Sequence, residues 1–209
     1  MSILALTSDT LSSPAAAGQI EYTSPIFAAT PIGTQRGIVP TQQYYRLDSA
    51  YVGSNSTSAQ SIFGVGVTLS ASTVYEFEIS IGFTKTAGAT SHTIAIGFGG
   101  TASLNNIYYD FSATNMSGTS ATLVINSQIS RGYVATASAT VVTNASATAA
   151  NNTSMIIKGT VSINAGGTFI PQYTLSAAPG GAWSTVAGSY IRINPLSASG
   201  AATNVGTWA

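Results

Sequence analysis

Few residues of this chain carry reactive chemistry. Glu76 and Glu78 form its one close carboxylate pair. On a single strand they share a face, with side-chain origins about 7 Å apart. That separation falls within the roughly 6.5–9.5 Å between the acid and base of inverting glycosidases. Such pairs normally face each other across a cleft, from different elements, with one pKa raised. Two neighbours on one outward strand face read instead as solvated or interface charges. His92 is the single histidine, so one chain cannot build a multi-histidine metal site. Three copies converging on a three-fold axis could, against the plainer reading of a histidine at a hairpin end. With serines this plentiful, no Ser-His-Asp set can be defended. Gly97-Phe98-Gly99-Gly100 is no phosphate loop, because no helix follows and no Gly-Lys-Ser/Thr run is present. The sequons at Asn55, Asn115, Asn144, Asn151 and Asn152 read as accidents of an Asn/Ser/Thr-rich composition.

Tyr44, Tyr45, Tyr108 and Tyr109 are expected to be exposed, where they could stack on sugars or fill an interface, although packing accounts for most tyrosines in a β domain. Arg36 and Arg46 flank the N-terminal third and could pair across a subunit boundary or stay solvated. No catalytic, cofactor-binding or metal-ligating residue is assigned. A non-enzymatic protein without cofactors is expected.

Composition narrows the partners. Charged residues make up 6% of the 209 residues, against about 25% in ordinary globular proteins. Apolar residues make up 44% and aromatics are spread along the chain, which argues against disorder. A charge-poor exterior is either a Ser/Thr coat or a surface covered in an assembly; depletion of charge is the mark of interface cores and favours the second. Six basic and six acidic residues cancel, leaving no footprint for nucleic acid or an anionic membrane. There is no cysteine, hence no disulfide or thiol chemistry. The start, MSILALTSDT, has no basic n-region and no sustained apolar run, so a signal peptide is not expected. No stretch is long and apolar enough for a transmembrane helix.

The strongest element is VYEFEISIGFT, Val74 to Thr84. Tyr75, Phe77, Ile79, Ile81 and Phe83 fall on one parity, the pattern of a long half-buried strand. Further strands are expected at Ile20–Tyr22, at Gln42–Leu47 continued by Asp48–Val52 after a bend, and at Ile62–Leu69, His92–Phe98, Ile107–Phe111, Leu123–Ser127, Tyr133–Val142, Met155–Ile163, Phe169–Leu175 and Ser189–Asn194. In Ile62–Leu69 the inward set is Phe63, Val65, Val67 and Leu69, with Gly64 and Gly66 marking a bulge or close approach. Tyr133–Val142 alternates with Tyr133, Ala135, Ala137, Ala139 and Val141 on one parity. Pro171 suggests an edge strand or bulge. Lys85–Ser91 reads as a hairpin connection; Gly53–Gln60 and Thr143–Asn152 read as exposed loops. No segment has a capped helical period. About nine to eleven short strands predict an all-β fold, an antiparallel β-sandwich with a jelly roll expected. Residues 1–19 form an extended arm that could dock on a neighbour, 20–196 the sandwich and 197–209 a tail.

Three stretches carry a resemblance. GQIEYTSPIFAATPIGTQRGIVP (Gly18 to Pro40), VTLSASTVYEFEISIGFTKTAGATSHTIAIGFGGTA (Val67 to Ala102) and INAGGTFIPQYTLSAAPGGAWSTVAGSYIRINPL (Ile163 to Leu196) resemble, in order and spacing, a β-sandwich module of tailed-phage virion proteins, including those of cyanophages and marine phages. Residues 1–17 and 197–209 have no counterpart in it. The resemblance implies a virion structural protein: a capsid decoration or cement protein on the capsid exterior, or a tail-fibre, receptor-binding protein contacting host glycans. It further implies a homotrimerising jelly roll, similar in shape to tumour-necrosis-factor and complement-head domains, with the major capsid protein or another virion protein as partner. It also places Val74–Thr84 in a central hairpin with His92–Phe98.

Overall fold

Strict alternation sets the architecture. The computed structural model describes residues 6–114, 116, 129–200, 202 and 204–208. In chain order the strands are β1 (Gln19–Thr23), β2 (Ile26–Ile32), β3 (Gln35–Val39), β4 (Gln43–Arg46), β5 (Tyr51–Val52), β6 (Gln60–Ser61), β7 (Val67–Leu69), β8 (Thr73–Lys85), β9 (Ile94–Gly99), β10 (Ser103–Thr114), β11 (Ile129–Val134), β12 (Thr140–Val141), β13 (Asn151–Ala165), β14 (Gly167–Leu175), β15 (Ser184–Thr185) and β16 (Tyr190–Ala198). No helix occurs among the described residues, so none is long and apolar enough to cross a membrane. The strand expected at 123–127 lies outside the described residues.

The protein is an antiparallel β-sandwich. In the larger sheet β8 pairs with β13 along one edge, and with β16 and then β15 along the other. Outward from β13 come β10 and β11; outward from β16 and β15 come β4 and β5. The facing sheet runs β12-β9-β14, with β6 and β7 in succession along the far edge of β14. Between β4 and β16 the pairings are nested: β4 with β16, β6 and β7 with β14, β8 with β13, and β9 with β12. The β10–β11 hairpin is inserted between β9 and β12 and widens the larger sheet.

Tyr75, Phe77, Ile79, Ile81 and Phe83 all point into the sandwich and are at most 5% exposed. Their burial contributes on the order of 8–15 kcal/mol gross, an upper bound before chain entropy. They meet the facing sheet through rings: Phe77 lies 5.3 Å from Phe98, Phe98 stacks on Phe169 at 4.8 Å, and Phe83 lies 5.1 Å from Tyr173. β8 is central as expected, but its expected hairpin with His92–Phe98 does not form. Both edges of β8 are taken by other strands, and residues 86–93 carry the chain across to the other sheet. Alternation reports which face of a strand is apolar; it is the same for a hairpin partner and for a strand across the core.

Other expectations shift in detail. Only Val67–Leu69 of the expected Ile62–Leu69 strand is extended. Val65 is exposed, and Gly64 turns the chain at φ 73° where a Cβ would strike the Tyr51 ring. The expected Tyr133–Val142 strand is broken, and its phase is the opposite: Tyr133 and Val141 are exposed while Val134 and Val142 are buried. Alternating alanines offer too little contrast to fix a phase. Pro171 sits in the middle strand of its sheet rather than at an edge. Its carbonyl accepts the Ile62 N–H at 3.0 Å, so its ring nitrogen faces the same side, where β6 and β7 are interrupted and no ladder donor is needed. β16 runs on through Pro195 with a register shift and ends at Ala198, past the expected tail boundary at 197.

Residues 19–39 form a separate three-stranded sheet, β1-β2-β3. The described part of the arm docks on that sheet of its own chain. Asp9 N–H donates to Tyr22 O at 3.1 Å, and Ser12 N–H and Oγ donate to Glu21.

Candidate functional site

Three places gather the polar and aromatic groups that composition makes scarce. The first is the outward face of the larger sheet. Register sets Tyr44, Arg192, Glu78, Lys158, Asp110 and Tyr133 side by side in one row across six strands. Glu78 accepts Lys158 Nζ at 3.0 Å, Arg192 Nη2 at 2.8 Å and the Tyr190 hydroxyl at 2.8 Å. The Lys158 ammonium above all, with Tyr190 and Arg192, holds its carboxyl at about 2 against partial burial, which pulls the other way. Glu76, two residues along on the same face, is exposed and makes no ion pair among the described residues. The pair therefore lies on one open sheet face, and Glu78 is fixed as a carboxylate, the opposite of what a general acid at neutral pH requires.

The second is buried, at the end of the sandwich where β8 terminates. Lys85 is 1% exposed and has no carboxylate partner among the described residues. Its ammonium donates to the carbonyls of Ala87 at 3.1 Å, Gly88 at 2.6 Å, Thr148 at 2.8 Å and Ala149 at 2.8 Å, and lies 5.8 Å over the Trp183 ring. Burial lowers its pKa. His92, also 1% exposed, bonds Thr90 O through Nδ1 at 2.8 Å and accepts the Trp183 indole N–H at Nε2 at 2.9 Å. That pairing requires the neutral Nδ1–H tautomer. Burial depresses its pKa, the nearby Lys85 charge adds to this, and the Thr90 carbonyl opposes both. His92 is thus neither a hairpin-end histidine nor free to meet copies of itself on an axis. The cluster ties the connection after β8, the 143–150 loop and the approach to β15 into one knot. The Thr143–Asn152 segment, expected to be exposed, has buried Thr143 and Asn151 and lends two carbonyls to Lys85.

The third is a groove of about 360 Å³ at the open edge of the sandwich, between β4 and the 63–68 segment. Tyr45, Phe63, Val65, Pro171, Ile191 and Ile193 line it. Tyr45 is partly exposed there, while Tyr44, on the opposite parity of β4, stacks on Tyr190 at 5.5 Å and is exposed on the outward sheet face, as is Tyr108. Tyr109, expected to be exposed, is fully buried against Phe98 because it falls on the inward parity of β10. Arg36 pairs with Glu21 at 2.9 Å and with the Ser12 carbonyl inside its own chain, and Arg46 pairs with Asp48. In the Gly53–Gln60 loop, Gln60 Oε1 accepts the Ser54 N–H and the Tyr173 hydroxyl, which pins the loop to β14. Among the described residues no group of three or more His, Cys, Asp or Glu side chains could hold a metal ion.

Sequence reasoning missed Lys85. Its signal was available: a lone cation closing an apolar strand on the inward parity of Phe83. Compared with known proteins, the chain matches no family profile, no curated protein and no solved structure.

Proposed function

We propose that the chain is a structural protein of a tailed-phage particle, a capsid decoration or cement protein that binds the outside of the shell as a symmetric oligomer. The likeness of residues 18–196 to phage virion modules motivates this reading, and the strand order supports it. Consecutive strands from β4 to β9 and from β12 to β16 pass between the sheets in nested antiparallel pairs, an order that supports reading the sandwich as a jelly roll with one inserted hairpin. That architecture recurs in viral capsid and lectin domains. Cementing requires area rather than chemistry: contacts spread across capsomer joints add binding free energy that resists internal pressure. The charge-poor exterior suits such contacts. Fold alone does not fix function, so the test is direct. Purified protein is mixed with undecorated heads and sedimented. Saturable co-sedimentation, with immunogold label on the heads of virions, is expected; no affinity for heads ends the reading.

The aromatic groove favours one alternative, a tail-fibre or receptor-binding protein that stacks host sugars on Tyr45. Label at the tail tip, with binding to host glycans lost in Tyr45→Ala, would replace the cement reading with this one.

A further inference from the structure

The outward face of the larger sheet differs from the rest of the molecule. It carries Arg192, Glu78, Lys158 and Asp110 in one row, with Arg46, Arg131 and Glu76 in the rows beside it, or seven of the chain's twelve charged residues. The five strands of the facing sheet carry none. The same face also exposes large apolar side chains: Tyr133 is 73% exposed, Tyr44 55%, Ile129 51%, Ile156 50% and Tyr108 46%. Tyrosine and arginine together, in a molecule otherwise coated with Ser and Thr, form the composition of binding hot spots.

The order of the row identifies its partner. From β4 to β11 it reads aromatic, plus, minus, plus, minus, aromatic: Tyr44, Arg192, Glu78, Lys158, Asp110, Tyr133. Read backwards against itself, every position meets its complement. Arg192 opposes Asp110 of the second copy, Glu78 opposes Lys158, and Tyr44 opposes Tyr133. A two-fold axis lying between the sheets, parallel to the strands and midway between β8 and β13, performs this reversal. We propose that this face binds a second copy of the chain in an isologous, face-to-face sheet contact.

The row has capacity for these contacts. Lys158 and Arg192 share the single carboxylate of Glu78 and keep side chains 65% and 46% exposed. Asp110 accepts only the Tyr108 hydroxyl at 2.9 Å and makes no ion pair among the described residues. In the adjoining row Arg131 comes opposite Arg46, whose charge Asp48 already neutralises. Six strands about 4.8 Å apart, with side chains over roughly 23 Å of their length, offer on the order of 650 Å² per copy. That approaches the ~800 Å² per partner of a standard specific interface. A three-fold arrangement would not set the row against its own reverse.

The inference stands apart from the virion reading, because its test needs only purified protein. Sedimentation equilibrium of the full chain is expected to show a dimer, or an even-numbered oligomer, weakened by salt. Asp110→Lys sets a cation opposite Arg192 at both symmetry-related contacts, and Arg192→Glu sets an anion opposite Asp110 at both. Each variant alone is expected to weaken association about 100-fold, while their equimolar mixture restores it, since both contacts of the mixed pair are complementary. Tyr133→Asp, at the most exposed position, keeps the test valid if Arg192→Glu disturbs folding; it too should give half-size particles with an unchanged circular dichroism spectrum. A wild-type monomer or trimer at on the order of 100 μM, or Asp110→Lys and Tyr133→Asp proteins that associate like the wild type, would overturn the proposal.

Discussion

Replacing Lys85 by Met removes an ammonium from a cage of four carbonyl oxygens at 2.6–3.1 Å. The methionine chain fills much the same volume, so the cavity term is small. An ammonium has three protons, and hydrogen bonds to a charged group contribute about 1.5–3 kcal/mol each. The gross loss is therefore about 5–9 kcal/mol. Against it stands the desolvation cost of a buried cation with no counter-ion, several kcal/mol that the wild type bears and Lys85→Met does not. The net expectation is a destabilisation of about 2–4 kcal/mol. For a chain of this length each kcal/mol moves the melting point about 2–4 °C, so Tm should fall by roughly 4–16 °C. Calorimetry at pH 7 gives the global number. Hydrogen exchange over residues 85–91 and 143–150 gives the local one, because both segments hang on the same ammonium. If Tm stays within about 2 °C and neither segment exchanges faster, the carbonyl cage contributes nothing net and the reasoning fails.

The His92 pKa is depressed in the folded chain, so neutral histidine is common to both states above about pH 6.5 and stability there is complete. As pH falls below that value the unfolded chain takes up the proton first, and stability declines until the folded pKa is reached. His92→Gln keeps an acceptor for the Trp183 N–H and should remove this slope; identical urea midpoint shifts between pH 7.5 and 5 in both proteins would refute it. Glu78 acts in a lower window: from its ordinary 4.5 to about 2, its ion pairs are lost progressively with acid, costing up to about 3 kcal/mol, and Glu78→Gln should flatten acid unfolding below pH 4.5. Gly159 lies in β13 where a Cβ would overlap the Tyr108 carbonyl oxygen; Gly159→Ala is expected to cost about 3 kcal/mol or more, and a denaturation midpoint equal to wild type would contradict that crowding.

The sequence was most informative where side-chain bulk alternates strongly. Val74–Thr84 and Met155–Ile163 show their inward parity directly, because Phe, Ile and Met on one face contrast with Glu, Lys and Ser on the other. Legibility fails where that contrast fades, as in the alanines of 135–139, or where a glycine redirects the chain, as at Gly64. Pairing was beyond reach: nothing local in β8 says that its neighbours are β13 and β16, some 75 and 115 residues on. The outward row was half legible. Glu76 and Glu78 could be placed outside, but Lys158, Arg192 and Asp110 join Glu78 only through cross-strand register. The Lys85–His92–Trp183 knot was hidden for the same reason: residues 85–92, Trp183 and the carbonyls of Thr148 and Ala149 are brought together by tertiary packing alone.

Nested pairing also constrains how the chain reaches this structure. Among the described residues β4 pairs with β16 alone, and the register between them joins residues 43–46 to 190–193. Closure of so large a loop comes late, and topologies built on such distant contacts fold slowly. During synthesis the β4 edge stays unpaired until β16 leaves the ribosome, and the groove beside it, walled in part by Ile191 and Ile193, forms only then. Even the innermost pair, β9 with β12, has the whole β10–β11 hairpin between its members. A truncation before residue 190 would not merely trim an edge; it would leave β8, the centre of the larger sheet, unpaired on one side from Thr73 to Ser80, and aggregation rather than partial folding is the expected fate of such a fragment.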